Sequence, residues 1–196
     1  MDELKLEDDE LIRRISERDL SAFKQLVEHY KTLIYNTCYS LLGDFHLAED
    51  ATQDVFLQIY RSAGSFRGES QVSTWIYRIA VNRSLNIIRH NKRFRWIKSL
   101  SSPGREKDGK EIPISSRQEE PDKVYEDKES KALLADAIHS LPERQRVAFI
   151  LHKYENLTYK DISEILGVSI NSVEARLHRA KVALQKKLVV RLKKSP

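Results

Sequence analysis

Between Ser99 and about Asp127 the hydrophobic pattern of the chain disappears. Pro103, Gly104, Gly109, Pro113 and Pro121 stand there among Ser, Lys and Glu residues, a composition that cannot bury enough apolar surface to order itself. This break constrains everything else, because two pieces of about 100 residues or fewer must each find a separate core. The sequence divides accordingly into a first domain over 1–97, a flexible linker over 98–128 and a second domain over 129–196.

On both sides of the break, apolar residues recur three and four apart. Phe23, Leu26, Val27, Tyr30, Leu33, Ile34, Cys38 and Leu41 mark one helix, ended by Gly43 and Asp44. A second helix begins near Leu47, turns Ala51, Val55, Ile59 and Ala63 inward, and stops at Gly64. After the loop SFRGESQ a third runs from about Ser73 to His90. Beyond the linker, Leu133, Leu134, Ala137, Ile138 and Leu141 resume helical spacing, and Pro142 opens a helix through Val147, Ile150 and Leu151. With no strand pattern and no internal repeat, the expectation is an all-α protein of two small helical domains.

Composition excludes several classes. Cys38 is the single cysteine, so neither an internal disulfide nor a zinc site of several thiolates can form. The start, MDELKLEDDELIRR, is acidic where a secretory signal is basic and then apolar, and no apolar run reaches the roughly 18 residues of a membrane span. A cytoplasmic protein is expected. No phosphate-binding Gly-Lys loop or metal motif stands out, and the six histidines are scattered, so neither an enzyme nor a cofactor is expected.

The segment TYKDISEILGVSINSVEARLHRAK changes character halfway. Thr158 and Asp161 have the spacing of a capping box, opening a short helix that buries Ile162, Ile165 and Leu166. Gly167 breaks it, and Ser169 caps a second helix in which Val173, Leu177, Ala180 and Leu184 form one stripe. Asn171, Ala175, His178 and Arg179 point away from that stripe, with Ser172 and Arg176 on its flank. Two helices joined at a tight Gly turn, the second bearing small, polar and Arg side chains, form a helix-turn-helix able to enter the major groove. Arg and Asn can bond guanine and adenine edges in pairs. A helical hairpin with a solvated face is the plainer alternative.

Positive charge is concentrated elsewhere too. From Glu69 to Glu106 there is no intervening carboxylate, while Arg78, Arg83, Arg89, Lys92, Arg93, Arg95, Lys98 and Arg105 lie between them. On the third helix Trp75, Asn82, Asn86 and Arg89 share the arc opposite Ile76, Tyr77, Ala80, Ile87 and Ile88. An aromatic ring, two amides and an arginine suit an unstacked strand: a stacking surface, base-edge readers and a phosphate partner. Alternatively, Trp75 packs under the preceding loop and the basic residues form a solvated face. The second helix turns Glu49, Asp50, Gln53, Asp54 and Gln58 outward, a surface unsuited to DNA. A solvated face is the default reading of such a surface, while Phe56 and Tyr60 beside it offer apolar contact, which favours a protein partner somewhat.

These three surfaces, in this order, resemble the group 4, or extracytoplasmic-function (ECF), sigma factors of bacterial RNA polymerase, over nearly the whole chain outside the linker. AEDATQDVFLQIYRSAGSFRGESQVSTWIYRIAVNRSLNIIRHNKR is similar to the family's region 2, and LPERQRVAFILHKYENLTYKDISEILGVSINSVEARLHRAKVALQKKL to its region 4. The resemblance implies that Asp50, Gln53, Asp54 and Phe56 contact the clamp of the largest polymerase subunit, and that region 4 meets the flap of the second subunit. It implies a loop from Ser65 to Val72, with Phe66, Arg67 and Gly68, that captures a flipped base of the minus-ten element. Trp75, Arg78, Asn82, Arg83, Asn86 and Arg89 complete that single-strand site, Asn82 and Asn86 matching base-reading positions. Ser169, Asn171, Ser172, Ala175, Arg176, His178 and Arg179 fall on the helix that meets the minus-thirty-five element. Glu174 departs from the pattern, standing where many relatives carry a basic residue; its carboxylate can accept a hydrogen bond from cytosine, which bears on the promoter sequence read. Many members of the family are held inactive by a dedicated anti-sigma protein, so such a partner joins the expectations.

A flexible linker of about 30 residues has a mean span of roughly 30 Å, close to the about 34 Å of one duplex turn, so two modules can read two elements of one promoter. Its acidic end, with Glu119, Glu120, Asp122, Glu126 and Asp127, suits the cationic RNA exit path of polymerase. Two rivals differ in what they require. A stand-alone repressor needs a dimer helix and a palindrome, and a serine recombinase needs a nucleophilic Ser in a mixed α/β domain.

Overall fold

The computed structural model describes residues 2–101 and 133–192, so the linker expected over 98–128 lies outside the described residues from 102 onward. Among the described residues there is no strand. The helices are α1 (Asp2–Ser16), α2 (Leu20–Leu42), α3 (Phe45–Ser62), α4 (Val72–Ser101), α5 (133–139), α6 (Glu143–Lys153), α7 (Tyr159–Leu166) and α8 (Ile170–Leu192). They fall into two compact units, one containing α1 to α4 and the other holding most of α5 to α8.

In the first unit, local chemistry fixes each helix end. Asp19 caps α2 by accepting from the amides of Ser21 at 2.7 Å and Ala22 at 3.2 Å. Its other oxygen accepts from Arg14 at 2.6 Å, and that guanidinium holds the Asp19 carboxyl below its ordinary range. Gly43 ends α2 in the left-handed region at φ 69°, its amide donating to the Tyr39 carbonyl at 2.8 Å. Asp44 then caps α3 through the Leu47 amide at 2.9 Å, so α3 starts at Phe45, two residues before the expected start. At its other end a short 3₁₀ turn, Ala63–Ser65, carries the chain into the loop.

The expected inward residues of α2 and α3 form the core. Leu26, Ile34, Cys38, Ala51, Val55 and Ile59 are fully buried, joined by Ile76 and Ala80 of α4. The acidic start, for which no helix is expected above, forms α1 and sends Leu11, Ile12 and Ile15 into this core. Leu4, Leu6, Leu11, Ile12 and Ile15 stand there among many charged residues, and the helix gains its stability from the surface it covers. The Tyr30 hydroxyl of α2 donates to Asp8, tying α1 down, and burial pushes the Asp8 carboxyl above its ordinary range.

Helix α4 also corrects the sequence reading. It continues past the expected end near His90 to Ser101, because no Gly or Pro intervenes before Pro103. Losing the apolar stripe does not end a helix whose residues keep adequate propensity.

In the second unit Pro142 precedes α6, and α6 packs on α8. Arg146 is buried and ties α6 to α5 by donating to the His139 carbonyl at 3.1 Å. The capping box forms as expected. The Asp161 amide donates to Thr158 Oγ1 at 3.2 Å, and Asp161 Oδ2 accepts from the Thr158 amide at 3.0 Å. Gly167 turns the chain at φ 62°, with space around its Cα for a Cβ, so the backbone angle is what favours glycine here. Ser169 Oγ accepts from the Ser172 amide at 3.2 Å and starts α8. Val173, Leu177, Ala180 and Leu184 are all buried, as the stripe requires.

Candidate nucleic-acid interface

The outer arc of α4 is solvent-facing where chemistry is expected. Arg78, Asn82, Arg83, Asn86 and Arg89 are exposed, while Ile76, Tyr77, Ala80, Val81 and Ser84 of the same helix are buried. Trp75 does not stand free on that arc. It is half-buried, its ring 5.2 Å from that of Phe66 and tilted by 47°. The start of the loop before α4 is therefore anchored twice at Phe66, by this ring pair and by the Phe66 amide, which donates to the Ala63 carbonyl at 3.1 Å. Arg67, Gly68 and Glu69 form its exposed tip, where Gly68 has φ +70° and nothing within 4 Å of an added Cβ. Arg67 and Glu69 approach to 3.8 Å, a fully solvated pair that restrains the tip little.

Helix packing creates a feature that the sequence arcs do not suggest. α3 and α4 enclose a cleft of about 460 Å³ in which Asn82, Arg83 and Asn86 face Asp54, Leu57, Gln58 and Arg61. Gln58 belongs to the α3 face that the sequence reading sets apart from DNA, whereas Leu57 and Arg61 are absent from it. Leu57 is an exposed apolar residue at the cleft. Across the cleft the Arg83 guanidinium bonds the Asp54 carboxylate. Two side chains expected to serve different partners are thus paired with each other.

On the rest of α3, Asp50 and Gln53 are exposed and Asp54 is half-exposed. Phe56 differs. It is buried in the core, with its ring edge-on to Phe23 at 6.4 Å, so it braces α3 against α2 and offers little surface to a partner. Position 56 falls between Val55 and Ile59 on the helix, close enough to the inward stripe for Phe23 to cover it.

The capping Ser169 and, on α8, Asn171, Glu174, His178 and Arg179 are exposed, and Ser172, Ala175 and Arg176 are partly covered. The covering comes from the start of α6: Pro142, Glu143, Arg144 and Gln145 line a cleft with Ser172, Ala175, Arg176 and Arg179. Burial, and then the nearby Arg144 charge, push the Arg176 guanidinium below its ordinary value. Arg144 is a basic member of this surface that α8 periodicity could not find, since it lies on another helix.

Among the described residues no group of His, Cys, Asp and Glu could hold a metal ion, and no helix is long and apolar enough to cross a membrane. Residues 26–94 match the family described as sigma-70 region 2, and residues 131–184 match sigma-70 region 4. The ECF RNA polymerase sigma factor SigW of Bacillus subtilis is 32% identical over 177 residues, covering 90% of this chain and 94% of the relative. The ECF RNA polymerase sigma-E factor of Haemophilus influenzae is 31% identical, covering 93% and 96%. The fold is similar to that of the sigma factor RpoE of Bartonella quintana, solved in complex with the anti-sigma factor NepR, with a TM-score of 0.62 at 24% identity over 86% of this chain and 97% of that one. With both sigma-70 regions matched in order and such relatives aligned along nine-tenths of its length, the chain belongs to the ECF RNA polymerase sigma factors.

Proposed function

We propose that this sigma factor binds core RNA polymerase through the Asp50–Gln53–Asp54 face of α3 and reads promoter DNA with two separate surfaces. The cleft side of α4 takes the single strand of the minus-ten element, and the first half of α8 enters the major groove at the minus-thirty-five element. The observation that carries this reading is the exposure, on one chain, of Asn82 and Asn86 beside the α3 face together with the Ser169-capped, Arg-bearing α8. Promoter recognition and transcription initiation follow from the family. A division into 1–97, 98–128 and 129–196 assigns one DNA element to each folded domain and leaves the segment between to span the distance. An anti-sigma protein and the flap of the second polymerase subunit complete the proposed partners, with the cytoplasm as the place of action.

Opening the duplex would draw on binding energy. Unstacking costs a few kcal/mol per base, whereas stacking on an aromatic returns about 1–3. The terms nearly balance, so polymerase contacts decide the outcome. Trp75, fixed against Phe66, contributes as a wall of the loop that receives a base, and Asn82 as an edge reader. Run-off transcription with core polymerase, with and without the chain, tests the function: promoter-dependent transcripts are expected only when the chain is added. In the same system Asn82→Ala and Trp75→Ala are expected to reduce permanganate reactivity of the opened strand more than closed-complex binding. Normal strand opening in both variants would remove that assignment.

A further inference from the structure

The Asp54–Arg83 pair joins the face proposed for polymerase to the face proposed for DNA. We propose that Asp54 restrains Arg83 in the free chain, and that polymerase, by engaging Asp54, releases Arg83 to a phosphate of the single strand. The inference rests on the function proposed above and adds an order of events to it.

Three observations support it. The pair crosses from α3 to α4, with the Arg83 and Asp54 side chains 44% and 40% exposed, so each can be reached from solvent by its own partner. Asn82, Asn86 and Gln58, which line the same cleft, are amides and cannot neutralise Arg83, while Arg61 there is another cation. No carboxylate occurs on α4 itself, since none lies between Glu69 and Glu106. The restraint is therefore supplied from α3. A half-exposed ion pair contributes at most about 1 kcal/mol, small enough to be exchanged and large enough to alter affinity by up to about fivefold. Because both partners compete with one internal bond, linkage makes the effect reciprocal: weakening the pair favours both external contacts.

The test uses the whole chain and a fluorescein-labelled oligothymidine, which offers phosphates without a promoter sequence. In low salt Asp54→Asn is expected to tighten binding about two- to fivefold. It should also steepen the dependence of log affinity on log salt by about 0.7, the increment of one added phosphate contact on a single strand. Glu49→Gln removes a charge from the same helix outside the cleft and controls for net charge; a smaller gain is expected. In Asp54→Asn combined with Arg83→Ala the gain should vanish. By reciprocity, Arg83→Ala alone should bind core RNA polymerase about two- to fivefold more tightly. A missing gain in Asp54→Asn, or a gain that survives Arg83→Ala or is matched by Glu49→Gln, overturns the restraint, and the function proposed above then still stands if the natural chain binds polymerase and supports run-off transcription. Failure of every variant, and of the natural chain, to bind polymerase would instead remove the function on which the inference rests.

Discussion

Replacing Ile76 with alanine lowers the unfolding free energy of the first unit by about 2–5 kcal/mol. The side chain is fully buried on α4 amid the core that α2 and α3 build, so truncation removes apolar contacts and leaves a cavity. Against a typical total of about 5–15 kcal/mol, that loss is a large fraction. Urea unfolding followed by tryptophan fluorescence reads it selectively, since Trp75 and Trp96 are the chain's two tryptophans and both belong to its first half. With a urea slope of about 1–3 kcal/mol per M, the midpoint falls by roughly 1 M or more. A shift well under 1 kcal/mol would mean that α4 does not rest on α2 and α3 in solution.

Under the proposed function, replacing Arg179 with alanine is expected to relax base preference at one promoter position in the minus-thirty-five region, at a cost of about 1–3 kcal/mol. Arg179 is the cleaner of the two α8 arginines for this purpose. It is exposed, and its truncation disturbs no packing, whereas Arg176 is half-covered beside the start of α6, where loss of its stem would also disturb the fold. Binding of holoenzyme to promoters varied one base at a time is the measurement. A uniform loss at every sequence, with a salt slope reduced by about 1, would reassign Arg179 to a phosphate.

Local signals in the sequence were sufficient for most of the fold. The Thr158–Asp161 box, the Gly43 and Gly167 turns and the Ser169 cap act within a few residues of themselves and form as their spacing requires. The α8 stripe is legible for a related reason, since one side of that helix is apolar and its opposite side is not. What escapes the sequence depends on a neighbour. α1 is a helix because Leu11, Ile12 and Ile15 have a core to cover, and Phe56 turns inward because Phe23 is there to meet it. For the candidate site, exposure of Asn82 and Asn86 follows from periodicity, but the cleft wall that Leu57 and Arg61 supply requires knowing how α3 lies on α4. The Asp54–Arg83 bond and the approach of Arg144 to Arg176 likewise join residues about thirty positions apart, on helices whose contact no single-helix wheel contains.

The core of the first unit includes Ala22, Ala48, Ala51, Ala63 and Ala80, all essentially inaccessible to water. Alanine has no side-chain rotamers through which a seam could loosen by degrees, and its small volume lets backbones approach closely. Close seams of this kind join α2, α3 and α4 in one packed body. If α3 is the face held by polymerase and α4 the one that meets DNA, as proposed above, a tilt imposed on the first would be passed to the second through these close seams rather than absorbed by side-chain rearrangement.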